Sequence, residues 1–167
     1  MKKIYQKQSY LLFVSVLVCQ LSGIIAAYWT IPSLFTWYPN LQKPVFTPPN
    51  WVFAPVWTLL YLLMGISLYL IWRELYLNKK KIDKSSISFA LEIFAIQLLF
   101  NIWWPVIFFG LNAPFTGMAE MAILLILIII TIVSFLRINR VSAYLLIPYI
   151  LWTVYALVIN ISIVILN

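Results

Sequence analysis

The sequence predicts an all-α integral membrane protein, a five-transmembrane-helix bundle with a structured loop between helices 1 and 2. Three observations lead there. First, 65% of the 167 residues are apolar and only 9% are charged, whereas a soluble domain carries about 25% charged residues. A soluble fold of this size leaves too much surface exposed to hide that many apolar side chains. Second, the apolar residues fall in five continuous runs, which selects helices over the alternating pattern of a barrel. Third, the charges sit in the short gaps between runs, almost all on one side.

A helix crossing ~30 Å of hydrocarbon needs about 20 mostly apolar residues. Runs of that length lie near 9–28, 51–72, 87–109, 117–136 and 143–166, and residues 1–167 read as one membrane domain. The first run is read as a span. The alternative is a cleaved leader, with a basic start and Ala26-Ala27 after the apolar stretch. That stretch, 11–27, is longer than the usual 7–15 residues of a leader. A lipid-modified Cys19 is not expected, because Leu17-Val18 places no small residue before it. Ser15, Cys19, Gly23 and Ala27 recur every fourth residue on one face. Such a face lets two helices approach closely, either inside the bundle or in a dimer seam.

Orientation follows from Lys and Arg. Lys2, Lys3 and Lys7 precede the first run. Arg73, Lys79, Lys80, Lys81 and Lys84 lie between the second and third, and Arg137 and Arg140 between the fourth and fifth. Lys43 alone lies on the other side. The positive-inside rule then puts the N-terminus in the cytoplasm and the C-terminus outside. The lysine-rich stretch after Asn78 reads as a solvated loop with some attraction for anionic lipid.

Composition also excludes functions. The net charge of +7 is the mark of topology, not of nucleic-acid binding. One cysteine forms no intrachain disulfide and no Cys-based zinc site. With no histidine, His-ligated metal or haem and His acid–base catalysis are excluded. Only Glu74, Asp83, Glu92 and Glu120 are acidic. No metal and no resident cofactor are expected.

The connection from 32 to 50 is the most informative stretch. Prolines 32, 39, 44, 48 and 49 stiffen it, and it carries Phe35, Trp37, Tyr38 and Phe46. It is either a lid folded onto the bundle or an aromatic belt at the interface. Helical spacing places Ala54, Trp57, Tyr61 and Met64 on one face of the second segment. It likewise aligns Gln97, Asn101, Trp104 and Phe108 in the third, and Pro148, Trp152, Tyr155 or Ala156, and Asn160 in the fifth. Amides are costly against lipid, so these faces should turn inward. Pro105 and Pro148 free backbone carbonyls there. The faces then either fill a core or enclose an aromatic cavity suited to a flat apolar ligand.

The run WYPNLQKPVFTPPNWVFAPVWTLLYLLMG, residues 37–65, closely resembles the tryptophan-rich sensory protein/translocator protein family (TspO/MBR, once called the peripheral benzodiazepine receptor). A second matching block holds Gln97, Asn101, Trp104, Pro105 and Phe108-Phe109-Gly110. A third holds Pro148-Tyr149, Trp152, Ala156 and Asn160, and Glu120 matches an acidic position. The resemblance implies a five-helix bundle, often a homodimer, that binds porphyrins, notably protoporphyrin IX, and synthetic benzodiazepine-site ligands. Some family members bind cholesterol, some resemble sensors of oxygen, light or stress that influence tetrapyrrole levels, and some promote light-dependent porphyrin breakdown. By position, the ligand site would comprise Tyr38, Trp57, Tyr61, Asn101, Trp104, Trp152 and Ala156. Trp57 and Trp152 match the tryptophans implicated in breakdown, a photo-redox role. The animal cholesterol motif needs Lys or Arg soon after a Tyr beyond the fifth helix, and 160–167 holds neither.

The expected function is therefore a membrane receptor for porphyrin, acting as ligand or substrate and held by stacking on Trp and Tyr. Lys43 is the external-side cation for its propionates. The alternatives are a transporter of tetrapyrroles or sterols, and a non-enzymatic sensor or scaffold signalling through the lysine-rich loop. The expected location is a bacterial plasma membrane.

Overall fold

Five stretches in the structure are helical and apolar enough to cross a membrane: Lys7–Phe35, Asn50–Tyr76, Lys84–Gly110, Pro114–Ile138 and Arg140–Leu166. The structure, a computed structural model, describes residues 2–77 and 82–167, with side chains for 7–76 and 82–167. The loop lysines Lys79, Lys80 and Lys81, and the side chains of Lys2 and Lys3, lie outside the described residues. No strand occurs among the described residues.

The helices are α1 (Lys2–Phe35), α2 (Asn50–Leu77), α3 (Lys84–Pro105), α4 (Pro114–Ile138), α5 (Arg140–Leu145) and α6 (Ile147–Leu166). A 3-10 turn at Tyr38–Asn40 follows α1, and a π-helical turn at Val106–Gly110 extends α3. Around the bundle the order runs α1, α2, α5 with α6, α4, α3 and back to α1.

The ends differ from the sequence reading in physically sensible ways. α1 continues past 28 to Phe35 and carries Pro32 inside it, so the connection shortens to 36–49. The helix ends just beyond, and Thr36 Oγ1 donates to the Pro32 carbonyl at 3.1 Å, satisfying one of the carbonyls left over at that end. α2 runs beyond 72 to Leu77, with Glu74 buried and 3.8 Å from Arg73. The third and fifth spans are each broken once. Pro105 ends α3, and the next turn widens to a π pattern in which Leu111 N–H donates to Val106 O at 2.9 Å. Pro148 lies in the first turn of α6, where its missing N–H costs nothing.

Two glycines let α1 and α2 meet. A Cβ built on Gly65 would stand 2.6 Å from the Val16 Cα, and one on Gly23 would stand 2.6 Å from the Tyr61 ring. The small-residue face of α1 is thus used inside the bundle, with Ser15 and Cys19 fully buried. At the other flank of α2, Ser67 Oγ and Ser142 Oγ each donate to the other's carbonyl at 2.8 Å. This clasp fixes α5 against α2. The central core packs Met64, Ile71, Phe94, Ile128 and Phe135, with Phe94 and Phe135 stacked at 5.8 Å. A second cluster under the loop joins Tyr38, Phe108, Phe109, Ile159 and Ile163.

The glycine contact yields a test. Gly65→Ala forces a methyl into helix backbone that has no rotamer to escape through, so overpacking should cost ~1–3 kcal/mol. Thermal unfolding in detergent should show a clear drop in Tm. An unchanged Tm would mean that α1 and α2 part without cost.

Candidate functional site

A cavity of about 310 Å³ lies among α1, α2, α3 and α6. Its place follows from the packing. α2 packs closely on α5 but only lightly on α6, so space opens on the α6 side, toward the loop. Tyr38, Trp57, Tyr61, Asn101, Trp104, Trp152 and Ala156 all line this one space. The structure therefore brings together every residue that the resemblance nominates.

Aromatic rings form most of the wall. Trp57 lies 5.5 Å from Tyr61, tilted 31°, and 6.3 Å from Tyr149. Trp152 sits between Phe53 at 6.1 Å and Tyr155 at 5.6 Å. Trp104 stacks on Phe108 at 5.0 Å. The π-helical turn after Pro105 sets Phe109 into the lining and Phe108 behind it.

One polar chain runs from the cavity into the core. Tyr61 Oη donates to Asn101 Oδ1. Asn101 Nδ2 donates to Tyr149 Oη at 3.0 Å, and Tyr149 Oη donates to Gln97 Oε1 at 2.9 Å. All four residues are buried. In a medium without water, such a chain fixes the amide of Asn101 in one orientation. Two lining residues also carry donors that are left over. The indole N–H groups of Trp104 and Trp152 are buried and have no acceptor among the described residues. A buried donor without a partner costs free energy, so an acceptor brought within reach of either N–H would relieve that cost.

The loop covers the cavity as a roof. Tyr38, 4% exposed, packs edge-on to Phe109 at 5.6 Å, and Trp37 to Phe108 at 5.5 Å. Burial pushes the Tyr38 phenol up to about 12, so it stays neutral at physiological pH. Asn167 fastens the loop by a pair of 3.0 Å bonds to the backbone of Gln42. Tyr155 Oη donates to Phe46 O at 2.6 Å. Lid and belt thus divide the loop: Trp37 and Tyr38 fold inward, while Phe35, Val45 and Phe46 stay exposed.

Several expectations need correction. Lys43 is not a free cation for a propionate. Its ammonium donates to the carbonyls of Tyr38 at 2.8 Å, Leu41 at 3.0 Å and Pro39 at 3.4 Å, and so staples the roof. Pro148 is exposed, and its neighbour Tyr149 takes the inward position, on the face of α6 that also buries Thr153 and Asn160. Asn160 does turn inward, as expected, and it meets the start of α4: its amide donates to Pro114 O and accepts from Met118 N–H, both at 3.0 Å. Glu120 is buried with both oxygens unpartnered among the described residues, yet it does not line the cavity. Sequence reasoning missed the contribution of α1, which supplies Gly23, Ala27 and Thr30 to the wall. The signal was present in the small-residue face of that helix.

Comparison with known proteins agrees with this architecture. The model of the TspO/MBR family matches residues 15–166. The chain belongs to the TspO/MBR family. It is similar to the tryptophan-rich protein TspO of Archaeoglobus fulgidus, at 38% identity over 93% of this chain and 96% of that protein. A protein of the same name from Chlorobaculum tepidum is 32% identical over 96% of this chain and 98% of its own length. The translocator protein of Bos taurus is 33% identical over 86% of this chain and 82% of its own. With five spans and this membership, the chain is a multi-pass integral membrane protein.

The polar chain is testable apart from any ligand. Tyr149→Phe leaves Asn101 Nδ2 and Gln97 Oε1 without partners in the core, which should cost ~1–3 kcal/mol. The expected readout is a lowered Tm in detergent. Wild-type stability would show that the network carries no net free energy.

Proposed function

We propose that this member of the TspO/MBR family is a membrane receptor for a flat, apolar, acceptor-bearing ligand, and that a metal-free porphyrin such as protoporphyrin IX is that ligand. The observation that carries the reading is the roofed cavity walled by Tyr38, Trp57, Tyr61, Asn101, Trp104, Trp152 and Ala156. Ring faces suit a macrocycle, since offset stacking adds ~0.5–1.5 kcal/mol per aromatic pair beyond the burial itself. The two unpaired indole N–H groups suit a guest whose polar atoms accept hydrogen bonds. A chain without histidine offers no imidazole to ligate an iron, which favours the metal-free pigment. Family membership supports a role in binding tetrapyrroles or sterols, or in sensing.

Light-dependent breakdown of the pigment is a second proposal, motivated by Trp57 and Trp152 both lining the same space. Light would excite the porphyrin and dioxygen would be the oxidant. The two indoles would act as quenchers or one-electron donors beside it, with the protein supplying position. We also infer a cytoplasmic N-terminus in a bacterial plasma membrane. The ammonium of Lys7 lies 3.9 Å from the centre of the Tyr76 ring, so Lys7 and the end of α2 that carries Arg73 share one end of the bundle, where positive residues mark the cytoplasm.

Titration of the purified protein with protoporphyrin IX, followed by Trp fluorescence in the dark, should give saturable quenching at micromolar ligand. Its absence removes the receptor reading. Trp104→Phe and Trp152→Phe each delete one donor and should weaken binding roughly 2–12-fold, equivalent to ~0.5–1.5 kcal/mol. Under illumination in air, the Trp57→Phe, Trp152→Phe double variant should bleach the bound pigment more slowly than wild type. Equal bleaching would leave receptor function alone standing.

A further inference from the structure

The cavity is closed above and open at the side. α1 and α2 touch at Gly65 and again at Gly23, and on the roof side of Gly23 both helices contribute residues to the cavity lining. Ile24 and Ile31 of α1, and Ala54 and Thr58 of α2, line the cavity, yet all four are exposed, Ile24 by 65% and Ile31 by 56%. Side chains that face both the cavity and the exterior form a rim. This rim lies within the membrane-spanning stretches of both helices, so the slot opens onto acyl chains, not onto water.

The rim is chemically fit for apolar traffic. Its hydroxyls are satisfied internally: Thr58 Oγ1 donates to Ala54 O at 2.8 Å, and Thr30 Oγ1 to Ala26 O at 3.0 Å. Across the end of the slot far from the roof, Gln20 Nε2 reaches to Thr58 O at 3.0 Å. The contrast with the roof decides the route. Passage from above must undo the Asn167–Gln42 pair and the Tyr155–Phe46 bond, and lift Tyr38 off Phe109. Passage from the side displaces lipid and releases one amide. We propose that the slot between α1 and α2 is a lateral portal. Through it an apolar guest dissolved in the bilayer enters and leaves the cavity, with the Gln20–Thr58 bond as its latch. The identity of the guest rests on the receptor reading above, whereas the portal itself can be tested without it.

The first arm uses the full chain in phospholipid nanodiscs that contain a lipid with a mid-chain diazirine. Photolabelling should mark Trp57 in the cavity as well as Leu99 on the outward face of α3, which is exposed. Ile24→Phe with Ile31→Phe should remove the label at Trp57 and keep the one at Leu99. Label at Leu99 without label at Trp57 in the wild type overturns the portal. The second arm loads protoporphyrin IX into vesicles and follows its transfer to nanodisc-held protein by stopped-flow quenching. The double Phe variant should slow association and dissociation at least fivefold, and Gln20→Ala should speed both at least threefold. Asn167→Ala, which unfastens the roof, should leave both within twofold. A lost ligand contact would act mainly on dissociation, so parallel changes identify a gate. If Asn167→Ala accelerates exchange and the slot variants do not, the route runs through the roof. If wild type binds no porphyrin, the receptor reading fails and the labelling arm alone decides the portal.

Discussion

Everything in this bundle is arranged around the contact of α1 with α2 at Gly65 and Gly23. In lipid there is no hydrophobic drive to bring helices together, because acyl chains are as apolar as leucine. Close backbone approach and its van der Waals contacts must supply the attraction. At Gly65 the approach is backbone to backbone, with Val16 opposite. At Gly23 it is backbone to ring, and the ring is that of Tyr61. The second contact therefore does more than join helices. It holds Tyr61 at the cavity wall, where its hydroxyl begins the polar chain through Asn101 and Tyr149 to Gln97. That chain connects α2, α3 and α6 in a region where α2 and α6 hardly touch directly. The wall keeps its shape because hydrogen bonds cross the space that packing leaves open.

The roof is held by a different logic. It lies at the end of the bundle where polar groups meet water, and its fastenings are polar. Lys43 spends its charge on three carbonyls of its own loop and lies 4.7 Å from the Tyr38 ring centre. The last residue of the chain clamps the loop at Gln42. Proline stiffness lowers the entropy cost of this ordering, since a segment with fixed φ has less freedom to lose. Tyr38 is the one place where roof and wall are the same side chain, facing the cavity on one side and Phe109 on the other.

The five spans were legible because lipid imposes one rule, continuous apolar length, and each run obeys it. The seven lining residues were legible from the family-like blocks, which preserve a helical period of aromatics and amides. Less legible were the inward face of a helix and the point where it ends. In α6 the buried face is centred on Tyr149, Thr153 and Asn160, and a period drawn through 148, 152 and 156 lies to one side of it. α1 continues through Pro32 to Phe35, and a threonine one turn after the proline caps the Pro32 carbonyl. The occupation of Lys43 depends on the path of the loop in space, and sequence distance to Tyr38 and Leu41 does not reveal it. The role of α1 as a wall was hidden for another reason: its contributors are small, and small residues mark close packing as readily as they mark a cavity edge.

The chemistry available to the site follows from what lines it. Gln20, Asn50, Asn101, the threonines 30, 58 and 153, and tyrosines and tryptophans supply its polar atoms, and among the described residues no carboxylate, ammonium, guanidinium or thiol lines it. Nor does it offer a fixed charge to a fixed charge. What it offers is shape, ring faces and neutral donors in a low-dielectric space, where each well-placed hydrogen bond counts for more than in water. Under the receptor reading proposed above, selectivity would rest on two questions put to the guest: whether it is flat enough for the space lined by Trp57 and Trp152, and whether its edge accepts hydrogen bonds. Any reactivity must come with the guest. Under the receptor reading proposed above, a pigment that absorbs light and meets dioxygen would bring its own, and the protein would hold it between neutral side chains.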